Sequence, residues 1–107
     1  MSKLPSFYES FRATFTEVAQ HYEQLGDACR RAGPLDARTA ELVKLAIAMG
    51  AGAEGSVHSH ARRALAAGAK PEELEHVALL GITTLGFPRS MAGLAWIRDV
   101  SGGAEKD

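Results

Sequence analysis

Along the first third of the chain Phe7, Phe11, Phe15, Val18, Tyr22, Leu25 and Cys29 recur at steps of four, four, three, four, three and four residues. That spacing lines one face of an α-helix. It predicts a helix over about residues 7–31, with Ser6 and Glu9 placed as a capping box and Gly33-Pro34 as the stop. Asp36 is suited to cap a second helix running to about Met49, with Leu42, Leu45, Ala46 and Met49 on one face and Arg38, Glu41 and Lys44 on the more polar one. Gly50, Gly52 and Gly55 then interrupt the pattern. A third helix is expected from about Ser56 to Ala67, ended by Gly68 as a left-handed cap.

Pro71 fits the first position of a fourth helix, and Glu72, Glu73 and Glu75 follow where the helix dipole favours negative charge. From Val77 to Leu85 this helix is apolar almost all round, more than a small monomer could cover, so the segment is read as a subunit interface. A fifth helix follows Phe87-Pro88, with Met91, Leu94, Ala95 and Ile97 as its apolar positions, and residues 101–107 are expected to fray. No β-period run or internal repeat is evident. The expected fold class is therefore all-α: a single-domain bundle of about five helices spanning residues 1–107.

Composition narrows the function classes. A chain of 107 residues, 46% hydrophobic, can bury one core but not two independent ones. Twelve Lys plus Arg against thirteen Asp plus Glu leave a net charge of -1, so neither nucleic acid nor an anionic membrane is an expected partner. The apolar runs fall far short of the roughly 20 residues that a membrane-spanning helix needs. Residues Met1–Ser6 lack the apolar core of a secretory signal, which makes the cytoplasm the expected compartment. With Cys29 as its single cysteine, the chain can form neither an intramolecular disulfide nor a cysteine-only metal cage.

Candidate chemistry concentrates between Glu41 and His60. A carboxylate on one helix facing a histidine at the start of the next would hold the imidazole's tautomer and raise its basicity, giving a proton relay. Ser56 lies four residues before His60, so on a helix the two would share a face. His58 and His60, two residues apart, would point to different faces. A metal site there would need further ligands such as Glu54 or His76, and none is expected. Arg62 and Arg63 follow the histidine and could pair with a substrate carboxylate, as could Lys44 or Arg89.

Glu41, the glycine-rich turn, His60 and the run Ala64-Leu-Ala-Ala-Gly-Ala-Lys-Pro-Glu-Glu-Leu74 resemble the carboxymuconolactone decarboxylase and alkylhydroperoxidase D-like family over roughly residues 35–100. The peroxidase branch of that family carries a Cys-x-x-Cys whose second cysteine stands four residues before the histidine. Here those positions hold Ala53 and Ser56. Neither side chain can supply a thiolate, so thiol-dependent peroxide reduction by that route is not expected.

The decarboxylase branch also lacks the cysteine pair. The resemblance implies a cofactor-independent decarboxylation or lactone chemistry on a small carboxylated substrate. His60, Glu41 and Ser56 would be catalytic, and Arg62, Arg63 and His58 would bind substrate. It also implies a homo-oligomer, a trimer or hexamer.

Plainer readings stand beside these. His60 could be a helix-start histidine bonded to a neighbour, Glu41 a surface ion-pair partner, and Ser56 a helix cap. Cys29, on the apolar stripe, reads as a buried inert thiol, His21 and His76 as solvated, and Trp96 as packing. Two other functions remain open: a family member that has lost catalysis and serves as an oligomeric binding module, and a peroxidase-related protein using Cys29 with an external thiol.

Overall fold

The computed structural model describes residues 6–102, and every regular element among them is helical. The described residues fall into two compact units, divided between Leu35 and Asp36.

In the first unit the stripe of aromatic and aliphatic positions is carried by two helices rather than one: α1 (Ser6–Thr14) and α2 (Thr16–Arg31). Ser6 already belongs to α1, so the residue that would cap it lies outside the described residues. The helix breaks at Phe15, whose backbone sits at φ -121°, ψ 62°. Next to the break the Thr16 hydroxyl donates to the Arg12 carbonyl at 3.0 Å, a side-chain bond of the kind that bends helices. The two helices are tied by the Tyr8 hydroxyl, which donates to Glu23 Oε2 at 2.8 Å, and by Arg12 Nε, 3.2 Å from the same carboxylate.

Within this unit Ala19 is buried, whereas Phe7, Phe15, Val18, Tyr22 and Leu25 are exposed. Cys29 is exposed too, which corrects the expectation of a buried thiol. Periodicity identifies a common face, but covering that face requires a partner surface, and around Cys29 the described residues of its own unit supply none.

The second unit is built on α3 (Ala37–Ala51), α4 (Glu54–Ala66), α5 (Pro71–Leu80), α6 (Ile82–Leu85) and α7 (Phe87–Ser101). Asp36 caps α3 as expected, its side chain accepting from the Thr39 backbone N–H at 2.8 Å. Gly52 closes α3 in the left-handed region at φ 68°, with the Ala53 N–H reaching back to the Ala48 carbonyl at 3.1 Å. Consequently α4 starts at Glu54, two residues before the expected start, and Ser56 sits inside its first turn rather than capping it. At the far end of α4, Gly68 adopts φ 104°.

Pro71 opens α5, and the Glu73 carboxylate accepts from the Lys70 N–H at 2.8 Å. The expected long fourth helix is divided at Gly81 into α5 and the one-turn α6. A Cβ at Gly81 would stand 2.7 Å from Ser90 Oγ of α7, so the division coincides with a close approach between helices.

The core of this unit is formed by Leu45 and Met49 of α3, Val57, Ala61 and Ala64 of α4, Leu74 and Ala78 of α5 and Ile97 of α7, with Trp96 packed against its edge. Burying a side chain such as Leu45 or Leu74 contributes about 1.5–3 kcal/mol. The alanines of α4 are equally structural, because small side chains let α3 and α7 draw close to it. Ala46 and Ala95, expected on core faces, are exposed. Val43, Ile47, Leu79, Leu80, Leu85 and Phe87 also remain exposed, the last four in or next to the segment read as an interface.

Candidate active site

The close packing of α3 on α4 brings Glu41 and His60 together. Glu41 lies one turn before the core residue Leu45, on the side of α3 that meets α4, and only 5% of its surface is exposed. His60 stands beside the core residue Ala61. Its Nδ1 is 2.8 Å from Glu41 Oε1, and its side chain keeps 17% of its surface open. An ionised Glu41 carboxylate can only accept, and in that state Nδ1 donates and the lone pair resides on Nε2.

Burial holds the His60 imidazole below the ordinary histidine pKa; the Glu41 hydrogen bond and charge work in the opposite direction, and the positive charges of Lys44 and Arg63 add to the lowering. The sequence-based expectation of raised basicity thus considered one of two opposing effects, and desolvation is the larger. Burial thus favours the neutral form of an imidazole that is hydrogen-bonded on one side and reaches solvent on the other.

The other candidates distribute around this pair unevenly. Lys44 and Arg63 are near enough to act on His60 electrostatically. Lys44 is half-buried and Arg63 exposed. Ser56 is exposed, and among the described residues no hydrogen bond joins it to His60. Arg62 is half-buried on α4. Arg89 is engaged elsewhere, donating to the Gly50 carbonyl at 3.1 Å. His58 turns away toward α7, where its Nε2 lies 3.0 Å from Asp99 Oδ2. That contact was not foreseen, because no local spacing links residues 41 positions apart. A cleft of about 300 Å³ lies in the first unit among Glu9, Arg12, Thr16, Gln20 and Glu23, and it contains neither residue of the dyad.

A buried carboxylate on one helix orienting a histidine on the next, across a glycine-capped turn, is the arrangement that the resemblance implied. A family model for the carboxymuconolactone decarboxylase family matches residues 16–99. The chain belongs to that family. Among solved structures the fold is similar to that of an apo carboxymuconolactone decarboxylase family protein from Legionella pneumophila, with a TM-score of 0.75 and 23% identity over 90% of this chain and 88% of that one. No curated protein matches the chain. Within the family the cysteine positions of the peroxidase branch are held here by Ala53, the residue before α4, and Ser56 in its first turn. Among the described residues no helix is long and apolar enough to cross a membrane.

Proposed function

We propose that this family member is an acid–base enzyme acting on a small carboxylated lactone or related acid, with His60 moving the proton and Glu41 orienting it. The observation that carries the reading is the 2.8 Å contact between His60 Nδ1 and a nearly fully buried carboxylate, which leaves Nε2 as the reactive nitrogen. In a decarboxylation the bond from carbon to the carboxyl group breaks and CO2 leaves. The electron pair delocalises toward the lactone carbonyl, and the carbon is then protonated. The Nε2 lone pair takes up that proton from solvent, with the Glu41 carboxylate balancing the charge, and passes it to the carbon, which returns the imidazole to its neutral form. Lys44 and Arg63 supply positive charge beside it to meet the substrate carboxylate, and Ser56 is close enough in sequence to line the same opening. No thiol takes part.

The exposed apolar positions on α3, α5 and α6 favour assembly of several copies, and a homo-oligomer, trimer or hexamer, is part of the proposal. They would equally suit a non-catalytic assembly module. The test that separates the two follows loss of carboxymuconolactone by ultraviolet absorbance, with His60→Ala and Glu41→Gln in parallel. Positioned acid–base groups contribute roughly 10²–10⁴-fold, so His60→Ala should lower turnover by about a hundredfold or more and Glu41→Gln by less. Equal turnover in wild type and His60→Ala would refute the role of His60. Absence of turnover by the wild type on this and related lactone acids would favour the assembly module.

A further inference from the structure

On the side of α4 that faces α7, Glu54 and His58 stand one helical turn apart and Asp99 comes across from α7. His58 Nε2 is 3.0 Å from Asp99 Oδ2 and 3.9 Å from Glu54 Oε2. One donor atom from each of the three residues lies within 4.8 Å of the other two. Both carboxylates converge on a single ring nitrogen, and that nitrogen has at most one proton to give. Whichever carboxylate receives it, the other faces an anion with no hydrogen between them. Even with the ring protonated the trio keeps a net negative charge. With the proton on Nδ1 instead, Nε2 offers a lone pair toward the two carboxylate oxygens.

We propose that Glu54, His58 and Asp99 form a binding site for a divalent cation of the Zn2+ type, which ties the first turn of α4 to the end of α7. Ligand distances of about 2.0–2.2 Å place neighbouring donors about 3–3.5 Å apart. The His58–Asp99 spacing already meets that requirement, and Glu54, an exposed side chain, needs a change of about 1 Å. An imidazole nitrogen among carboxylates selects Zn2+ over Mg2+, which prefers oxygen donors and retains its waters. The half-buried histidine distinguishes this cluster from an ordinary pair of surface carboxylates, since it supplies the borderline ligand and both helices hold it in place. The site uses neither residue of the dyad, so it stands whether or not the proposed reaction is correct.

The test is calorimetric titration of the full chain with ZnCl2, compared with His58→Ala, Asp99→Asn and, as a control, His76→Ala. One Zn2+ should bind per chain with micromolar affinity. Binding should weaken by about tenfold or more in both His58→Ala and Asp99→Asn. It should be unchanged in His76→Ala, and MgCl2 should give no comparable heat. If His58→Ala proves misfolded by circular dichroism, Asp99→Asn still decides, because it exchanges an exposed carboxylate for an amide of the same shape. Absence of Zn2+ binding up to millimolar concentration, or equal affinity in Asp99→Asn, would overturn the site. Loss of binding only in His76→Ala would overturn it as well, by placing the ion elsewhere.

Discussion

Replacing Gly93 by alanine opposes two effects of similar size, and the structure indicates which prevails. In an open helix the substitution gains about 1 kcal/mol, because glycine gives up more backbone freedom on folding. Gly93, however, lies where α7 crosses α3, and an added Cβ would stand 2.8 Å from both Cγ and Cε of Met49 and 3.1 Å from its Sδ. Cγ is only two bonds from the Met49 backbone, and Met49 is fully enclosed in the core with Leu45, Val57 and Ile97. The side chain therefore cannot swing clear without displacing its neighbours. Overpacking of this kind costs about 1–3 kcal/mol. The expected net effect of Gly93→Ala is a loss of about 1 kcal/mol, equivalent to a melting temperature lower by about 4–8 °C in a unit of this size. Urea denaturation followed by far-ultraviolet circular dichroism measures it, with the slope checked for constancy. Gly55→Ala is the control: in the first turn of α4 its Cβ meets nothing within 4 Å, and it should gain up to about 1 kcal/mol. If Gly93→Ala proved as stable as wild type while Gly55→Ala gained, the close crossing of α3 and α7 would be refuted.

Ser90 is fully buried, and its hydroxyl has no hydrogen-bond partner among the described residues, so Ser90→Ala should be neutral or stabilising by about 1 kcal/mol in the same assay. A loss exceeding that amount would show that the hydroxyl is satisfied. Arg98 donates to Glu75 from Nε at 2.9 Å and from Nη2 at 3.2 Å, and holds the Glu75 carboxyl below its usual pKa. A group whose folded pKa is depressed stabilises above its unfolded pKa, about 4.3, and loses that contribution as pH falls through the folded value. Glu75→Gln should therefore cost less than about 1 kcal/mol at pH 7, since the pair is partly exposed, with the gap closing as the pH approaches 3. A gap that persists at pH 3 would assign the effect to packing instead. In the isolated chain Cys29 should react readily with an aromatic disulfide reagent under native conditions, and slow labelling that follows unfolding would contradict its exposure.

What was legible in the chain is what local chemistry determines. Asp36 at the start of α3, Gly68 after α4 and Pro71 at the start of α5 act within a few residues of themselves, and the structure uses each as expected; of the three glycines expected to interrupt the pattern only Gly52 does so, Gly50 lying inside α3 and Gly55 inside α4. The break at Phe15 interrupts an unbroken helical stripe, because periodicity reports which residues share a face and is silent about one residue's ψ. Cys29 and Glu41 fail the inside–outside reading in opposite directions. The cysteine lies on an apolar face that its own unit leaves uncovered, and the carboxylate is buried because His60, 19 residues away, gives it a hydrogen bond. The resemblance located the dyad, where polarity alone would have put Glu41 on the surface. Nothing local signalled Asp99 beside His58.

Helical geometry explains why one short segment of α4 can serve two separate constellations. Successive residues advance by about 100°, so His58 and His60 project about 200° apart, toward nearly opposite sides of the helix. The structure places α7 on one of those sides and α3 on the other: His58 meets Asp99, and His60 meets Glu41. A spacing of three or four residues would have put both imidazoles on one side and invited a shared metal. The spacing of two keeps them apart, with the core residues Val57 and Ala61 filling the helix between them. The proposed cation site and the proposed proton relay are therefore independent in chemistry although they share a helix. Zn2+ titration of His60→Ala should match wild type, and a weakened affinity there would mean that the two imidazoles share one ion, contrary to the geometry of α4.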